Sequence, residues 1–414
     1  MIKKLIGKIF DNKLTRTVAQ RVGLSRYARL HREDELVRAM RAKDVVTVVF
    51  LLDSLSAWKT ESLYLAMKAH PRFDPRIVLS PTLDAADNAR LRTYLAQKGY
   101  PTTEAGERGN LDGADLAFYQ KPYAFFTERH GTAYWRNPHV LTLYIDYAFH
   151  VTEAAWNINL PFLNAAWRVF FENQVCADGA APLMDNGGRN SCVTGLPMQD
   201  ELLRGADGLP DPWKPCREGM KRVIYAPHHS IADDGGLNYS TFLEIGDAML
   251  EVARRHVADI QFAFKPHPLL RGKLEKVWGR ERTDRYYDAW ATMENTQLAD
   301  GKYTALFFNS DAMVHDCCSF IVEYHFTRRP CLYLVKEGRH SEIDTAFARE
   351  AFNLHYHAHA VSEVEKFLTE VVLGGEDPML PEREKFFAEK LTPPHGRSAS
   401  ENVMREILGE DPKE

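Results

Sequence analysis

The 414-residue sequence has no pair of cysteines in Cys-x-x-Cys spacing; its six cysteines (Cys176, Cys192, Cys216, Cys317, Cys318, Cys331) are scattered. That scatter excludes a disulfide scaffold, argues against a zinc site and fits a reducing compartment. No apolar run reaches the roughly 18 residues needed to cross a bilayer. The first residues lack the apolar core and small-residue cleavage site of a secretory signal, so the expectation is a cytoplasmic protein. There is no overall basic excess: the net charge is −5, which excludes a general nucleic-acid binder. Internal repeats and low-complexity tracts are also lacking. What is present is a hydrophobic content of 45% and a charged content of 26%, ordinary for a globular protein with material for two or three domains.

The charge is unevenly spread. Residues 1–41 carry 11 Lys/Arg against 4 Asp/Glu. Within them Ile2, Leu5, Ile6, Ile9 and Phe10 recur at helical spacing, with Lys3, Lys4, Lys8 and Lys13 around the stripe. One reading is an amphipathic foot on an anionic membrane surface, which would place the protein peripherally on the inner face of the cell membrane. The other is a terminal helix packed on its own domain, and Gly7 weakens the helix in either case.

Behind this segment strands and helices alternate. Val45–Leu52, Arg76–Leu79, Leu116–Tyr119 and Val140–Ile145 read as buried strands, with helices over Ser56–Lys68 and Asp84–Gln97. Thr152–Glu172 reads as mainly helical. Residues 204–218 are rich in Gly, Pro and Asp and read as a linker. A second alternation follows: strands at Arg222–Ala226, Ile260–Lys265, Ala305–Phe308, Ala312–Val314 and Pro330–Leu334, helices at Thr241–His256, Cys318–Phe326, 361–372 and 398–408. The expected fold is α/β: a basic helical segment (1–41), a Rossmann-like domain (42–203), the linker (204–218), and a second Rossmann-like domain (219–414), a GT-B-like tandem. Open α/β sheets bind ligands beyond the carboxyl ends of their strands.

Four segments follow strands in the second half: Tyr225–Ser230, Lys265–Pro268, Asn309–Asp311, and His315–Ser319 running into Glu323. A pyrophosphate needs helix N-terminal amides and hydrogen-bond donors. Cys318 and Ser319 stand where a helix should open, and the Ser319 hydroxyl adds a donor. His267 is held between two prolines, which restricts its backbone. Glu323 falls one turn beyond Ser319, placed to accept from ribose hydroxyls. Each has a structural counterpart: a satisfied core histidine for His267, a helix N-cap for Asp316, packing residues for Cys317 and Cys318.

Together these segments resemble the CDP-glycerol glycerophosphotransferases of teichoic-acid and capsule synthesis. The matching stretches are Tyr225–Pro227, His267–Pro268, Asp316–Ser319 with Glu323–Tyr324, and Arg328–Tyr333. Upstream, Gly195–Asp200 is similar to the family's Gly-x-Pro-x-x-Asp; downstream, His395–Ser398 is similar to its Asp-Gly-Lys turn. The family's Asp-Tyr-Ser-Ser is Asp316–Cys317–Cys318–Ser319 here, and His228–His229–Ser230 replaces its Thr-Trp/Phe-Arg. Its acceptor-side Trp-His-Gly-Thr is not recognised; Tyr144–Ala148, with His150 close behind, stands in its approximate place.

The resemblance implies transfer of a polyol phosphate from CDP-glycerol or another nucleotide-activated donor to a hydroxyl of a lipid-linked, oligosaccharide or polymer acceptor, releasing CMP. No bound cofactor or metal is expected. His228, His229, His267, Asp316, Cys318, Ser319 and Glu323 are the expected donor-binding set. The catalytic base is expected from Asp146 or His150 after the Val140–Ile145 strand. The competing readings are a GT-B glycosyltransferase using a nucleotide sugar, and a non-catalytic assembly factor at the membrane surface.

Overall fold

The computed structural model describes residues 22, 25–80, 85–105, 111–121, 134–152, 155–231, 239–299, 301–336 and 343–410; the expected amphipathic foot at residues 1–13 lies outside them. The described chain forms two compact units. One comprises the residues up to Ala148, those from 155 to Asp200, and those from Pro393 onward; the other comprises residues 149–152 and 201–392.

The first unit is built on one parallel sheet. Its central strand, β1 (Val46–Leu52), reads VTVVFLL, apolar without alternation and buried almost throughout, as a strand covered on both faces requires. It pairs in parallel with β2 (Phe73–Leu79) and β4 (Leu116–Tyr119). With β3 (Thr102–Glu104), β5 (Leu141–Ile145), β6 (Arg168–Phe171) and β7 (Ser191–Val193) the order is β3-β2-β1-β4-β5-β6-β7.

The second unit repeats the plan. β8 (Lys221–Ala226), β9 (Ile260–Phe264), β10 (Thr296–Leu298), β11 (Ala312–His315), β12 (Cys331–Leu334) and β13 (Tyr356–Ala358) lie in the order β10-β9-β8-β11-β12-β13, all parallel. Its core centres on the fully buried Trp290, stacked 5.0 Å from Phe264 and 5.8 Å from Tyr225. The strand order reverses between β8 and β11. In an open α/β sheet such a reversal is the point at whose carboxyl ends ligands bind.

Two of the sequence segments singled out above meet inside the first unit. Asp200 accepts from Ala399 N (2.7 Å), Ser400 N (2.9 Å) and Ser400 Oγ (2.5 Å), so it caps the Ala399–Leu408 helix. Gly195 has φ +80°, and a Cβ there would lie 2.9 Å from both Ala399 Cβ and Pro393 Cβ. Only glycine allows that approach. The terminal helix therefore belongs to the first unit, not to the 219–414 domain expected from sequence.

Other expectations are corrected too. Residues 204–218 do not form a free linker: Trp213 is buried in the second unit with its indole N–H on Leu306 O, and Gln297 bonds the backbone of Pro212 and Lys214. Thr152–Glu172 is not one helix, because Pro161 restarts the chain in a short helix and Arg168–Phe171 joins the sheet as β6. Thr304–Phe308 is a helix rather than a strand, and Tyr303 packs on Phe307 at 4.8 Å, the i,i+4 contact of a helix. Four apolar residues carry too little period to decide between the two.

Candidate functional site

β8 and β11 run side by side, with Ala226 opposite His315, so the residues after them, Pro227 and Asp316, stand at the switch point, where an open sheet binds ligands. On the β11 side that residue is Asp316, fully buried. Its Oδ1 accepts from His228 N at 2.6 Å. Its Oδ2 accepts from Thr241 N (2.7 Å), Ser240 Oγ (2.9 Å) and Thr241 Oγ1 (3.1 Å). One carboxylate thus joins the β11 end, the β8 loop and the start of the Phe242–Arg255 helix. Thr241 is that helix's N-cap, so the negative charge sits at the positive end of the helix. Asp316 is not the cap of its own helix, as one sequence reading had it; it serves a neighbouring one. Burial pushes its carboxyl up to about 6, against the pull of its four donors.

Three imidazoles gather beyond β8 and β9. Lys265 N donates to Tyr225 O (2.8 Å) and His267 N to Pro227 O (3.0 Å), which continues the strand pairing past the sheet edge. The rings of His228 and His229 lie 4.2 Å apart, His229 and His267 4.2 Å, and His228 and His267 4.9 Å. Their hydrogen bonds assign the tautomers. His267 Nδ1 accepts from Leu269 N, which puts its proton on Nε2. His229 Nδ1 takes a bond from the Lys273 ammonium at 3.0 Å. His228 Nδ1 accepts from Ser230 N, and its Nε2 meets Tyr239 OH at 3.2 Å, so both of its nitrogens serve protein partners.

Burial and the neighbouring imidazoles and ammonium groups act in the same direction. They depress His228 to about 2 and His267 to about 3, so both are neutral at physiological pH. One nitrogen of each of the three rings lies within 4.8 Å of the others. A cation is nonetheless disfavoured, because Lys273 already holds His229 and Lys265 adds to the positive field at His267. The set is electrically suited to an anion.

On the β11 side the Phe320–Glu323 helix opens with Ser319 at its N-cap position, and its first residue comes two later than the expected Cys318. Ser319 Oγ lies 3.2 Å from Cys317 Sγ, and burial pushes the Cys317 thiol up to about 11. Cys318 hydrogen-bonds Tyr239, which links it to His228. Glu323 is buried and receives a hydrogen bond from the Tyr303 hydroxyl. The Lys265 ammonium stands 5.5 Å from the Tyr303 ring centre. The seven expected donor-side residues therefore fall in one neighbourhood. Tyr239, Ser240, Thr241, Lys265, Lys273 and Tyr303 belong to it and were passed over as site residues in the sequence. Only tertiary contact reveals them, except Lys265, which directly follows a strand.

The expected base candidates separate. Asp146 follows β5 in the first unit, where its oxygens accept from Tyr144 OH (3.0 Å) and Ala148 N (3.2 Å), an Asx turn. His150 belongs to the second unit, where its carbonyl accepts from Thr345 Oγ1. A further signal was missed: Arg129–His130–Gly131–Thr132 repeats three of the four letters of the acceptor-side Trp-His-Gly-Thr, after β4 rather than β5. It lies outside the described residues. At the switch point of the first sheet, Lys121 after β4 pairs with Asp53 after β1 at 3.1 Å.

The model of the family described as CDP-Glycerol:Poly(glycerophosphate) glycerophosphotransferase matches residues 186–409. No curated protein matches the chain. Among solved structures, the fold is similar to a UDP-N-acetylglucosamine 2-epimerase from Listeria monocytogenes (TM-score 0.59, 12% identity, 90% of this chain and 99% of that one). It is similar to S. aureus MnaA with UDP (TM-score 0.58, 13% identity, 88% and 96%). It is also similar to the wall teichoic acid polymerase TagF, solved as a histidine-to-asparagine variant (TM-score 0.51, 12% identity, 97% and 98%). These likenesses establish the GT-B-like fold; the matched residues span the whole donor-side cluster.

Proposed function

The chain belongs to the CDP-glycerol:poly(glycerophosphate) glycerophosphotransferase family, and from that premise we propose that its second unit binds CDP-glycerol at the β8/β11 crevice. Glycerophosphate transfer from a nucleotide-activated donor is the activity of the family. The observation that supports the site is the Asp316 carboxylate, which anchors the loop carrying His228 and His229 beside His267 and the ammonium groups of Lys265 and Lys273, a set suited to an anion.

In this reading His267 Nε2–H and His229 donate to the donor pyrophosphate, and Lys273 and Lys265 supply its counter-charge. His228 positions the loop through Ser230 and Tyr239 rather than touching phosphate. Ser319, at the start of its helix, adds a hydroxyl. Glu323, held by Tyr303, takes the ribose hydroxyls. The acceptor oxygen attacks the β-phosphorus, and the bond from that phosphorus to the bridging oxygen breaks. CMP leaves with the bridging oxygen, and the hydroxyl proton passes to a base. Donors aimed at the bridging oxygen stabilise the charge that grows on it. Asp146, His150 and His130 are the base candidates.

The acceptor in this proposal is the terminal hydroxyl of a polyol-phosphate polymer such as a teichoic acid, in line with the fold likeness to a teichoic acid polymerase. No helix among the described residues is long and apolar enough to cross a membrane; residues 1–13 are proposed to meet an anionic lipid surface. Calorimetry with CDP-glycerol, CMP and UDP-N-acetylglucosamine tests the donor site. The expected result is binding of both cytidine ligands with the uridine sugar much weaker, and preference for the uridine sugar would overturn the assignment.

A further inference from the structure

Outside the crevice, three side chains far apart in sequence meet in the interior of the second unit. His325 lies in the turn Tyr324–Thr327, Cys331 begins β12, and His355 precedes β13. Their exposures are 0%, 0% and 1%. One ligand atom from each lies within 4.8 Å of the others.

The carbonyl of Ala351 sets the chemistry of this cluster. It lies 2.9 Å from His325 Nε2 and 2.9 Å from His355 Nδ1. A carbonyl only accepts, so both of those nitrogens carry their ring's proton. His325 Nδ1 and His355 Nε2 are therefore left with lone pairs, and both are buried without a hydrogen-bond partner. A buried polar atom left so costs about 1–3 kcal/mol. The arrangement is the one that metal-binding histidines share: one ring nitrogen donates to a backbone carbonyl and the other faces the ion. His315 stands beside the cluster: its ring lies 5.1 Å from that of His355, its Nδ1 is 3.2 Å from both Cys317 N and Cys317 O, and its Nε2 is buried without a hydrogen-bond partner.

We propose that His325 Nδ1, His355 Nε2 and Cys331 Sγ hold a zinc-class transition cation. One thiolate with imidazoles and no carboxylate selects zinc or copper(I) over magnesium or calcium. Cys331 is held as a neutral thiol by burial, so the entering ion takes the sulfur lone pair and one proton leaves to solvent. The nearby Arg383 is paired with Asp377; the guanidinium favours the thiolate that results and the carboxylate opposes it. The ion would join the turn after β11, the start of β12 and the entry to β13, a structural role independent of the donor pocket. A metal here runs against the sequence reading, in which scattered cysteines without motif spacing argue against a zinc site.

Metal analysis of the full chain tests the proposal. Protein produced with zinc is dialysed against chelator, then unfolded in guanidinium with a chromogenic chelator. About one Zn2+ per chain should stay bound through dialysis and appear only on unfolding. Refolding with Co2+ under reducing conditions should give a thiolate-to-cobalt absorption band in the near ultraviolet. Cys331→Ser should lose that band, and His355→Gln, which removes a direct ligand, should weaken metal binding by more than the roughly 10–100-fold that loss of an outer-shell partner costs. Should the variants fail to fold, the wild-type stoichiometry and cobalt spectrum still decide. Less than about one-tenth equivalent both as isolated and after refolding with excess Zn2+ overturns the proposal. So does the same content in Cys331→Ser, which would mean an adventitious ion bound elsewhere.

Discussion

Asp316 takes the backbone N–H of His228 on one carboxylate oxygen at 2.6 Å, so the carboxyl end of β11 decides where the β8 loop lies. Its other oxygen holds Ser240 and Thr241, and with them the start of a helix. Asp316→Asn keeps the shape but turns an amide NH2 toward donors. Each donor left unsatisfied costs about 1–3 kcal/mol, so the variant should unfold well below the parent and bind CDP-glycerol poorly. Parental stability in denaturant titration together with parental affinity would count against this account of Asp316.

Donor binding should take up protons. In the free protein His228 and His267 are depressed to about 2 and about 3, well under the usual histidine value. A pyrophosphate beside His267 favours the imidazolium, whose second proton goes to Nδ1 in place of the Leu269 N–H bond, and raises that value in the complex. Affinity should therefore rise as pH falls from 8 through the bound-state pKa. The phosphates of CDP-glycerol are diester-like and do not titrate in this range, so the protons belong to the protein. Calorimetry in buffers of different ionisation enthalpy reads the uptake; an affinity flat between pH 5.5 and 8 with no proton uptake would leave the imidazole neutral in the complex.

His267 and His228 should behave differently. Loss of a charge-assisted bond to phosphate costs about 1.5–3 kcal/mol, so His267→Ala should weaken donor binding or turnover about tenfold to more than a hundredfold with the fold intact. His228 bonds only protein partners in this reading, so His228→Ala should lower thermal stability along with activity. If His267→Ala changes neither rate nor donor affinity, His267 is a structural histidine.

Much of the second unit was legible because parallel strands announce themselves. Runs such as Ile260–Phe264 are apolar throughout, and the residues just after them are where an open sheet binds ligands. That logic reached His228, His229, His267, Asp316 and Ser319. It did not reach Lys273 or Tyr239, which come from a helix and a loop and meet the histidines only through the tertiary fold. It placed Asp316 correctly in space but not in role, since its partners Ser240 and Thr241 lie some 75 residues away in sequence. Short elements without period, such as Thr304–Phe308, were misread for want of information. The terminal helix was misplaced because nothing local to it tells that Asp200 caps it.

Three residues compete for the base. Replacing the true base should lower kcat by roughly 10²–10⁴ with donor affinity nearly unchanged. Asp146→Asn, His150→Ala and His130→Ala should be compared in one assay, and one of them should show that loss. A histidine base would also give a rate that climbs through about pH 6–7, where an aspartate base leaves the profile flat. Near-parental rates in all three variants would move the search to the donor-side loop at His229.

The central claim, glycerol phosphate transfer from a CDP-activated donor held at the β8/β11 crevice, is tested most directly by following CMP release from CDP-glycerol. The full-length protein should release CMP in proportion to added polyol-phosphate acceptor, and the acceptor should grow by the same number of glycerol phosphate units. His267→Ala should slow that release by about tenfold to more than a hundredfold. Absence of CMP release with every polyol-phosphate acceptor, alongside turnover of a uridine-diphosphate sugar, would contradict the account.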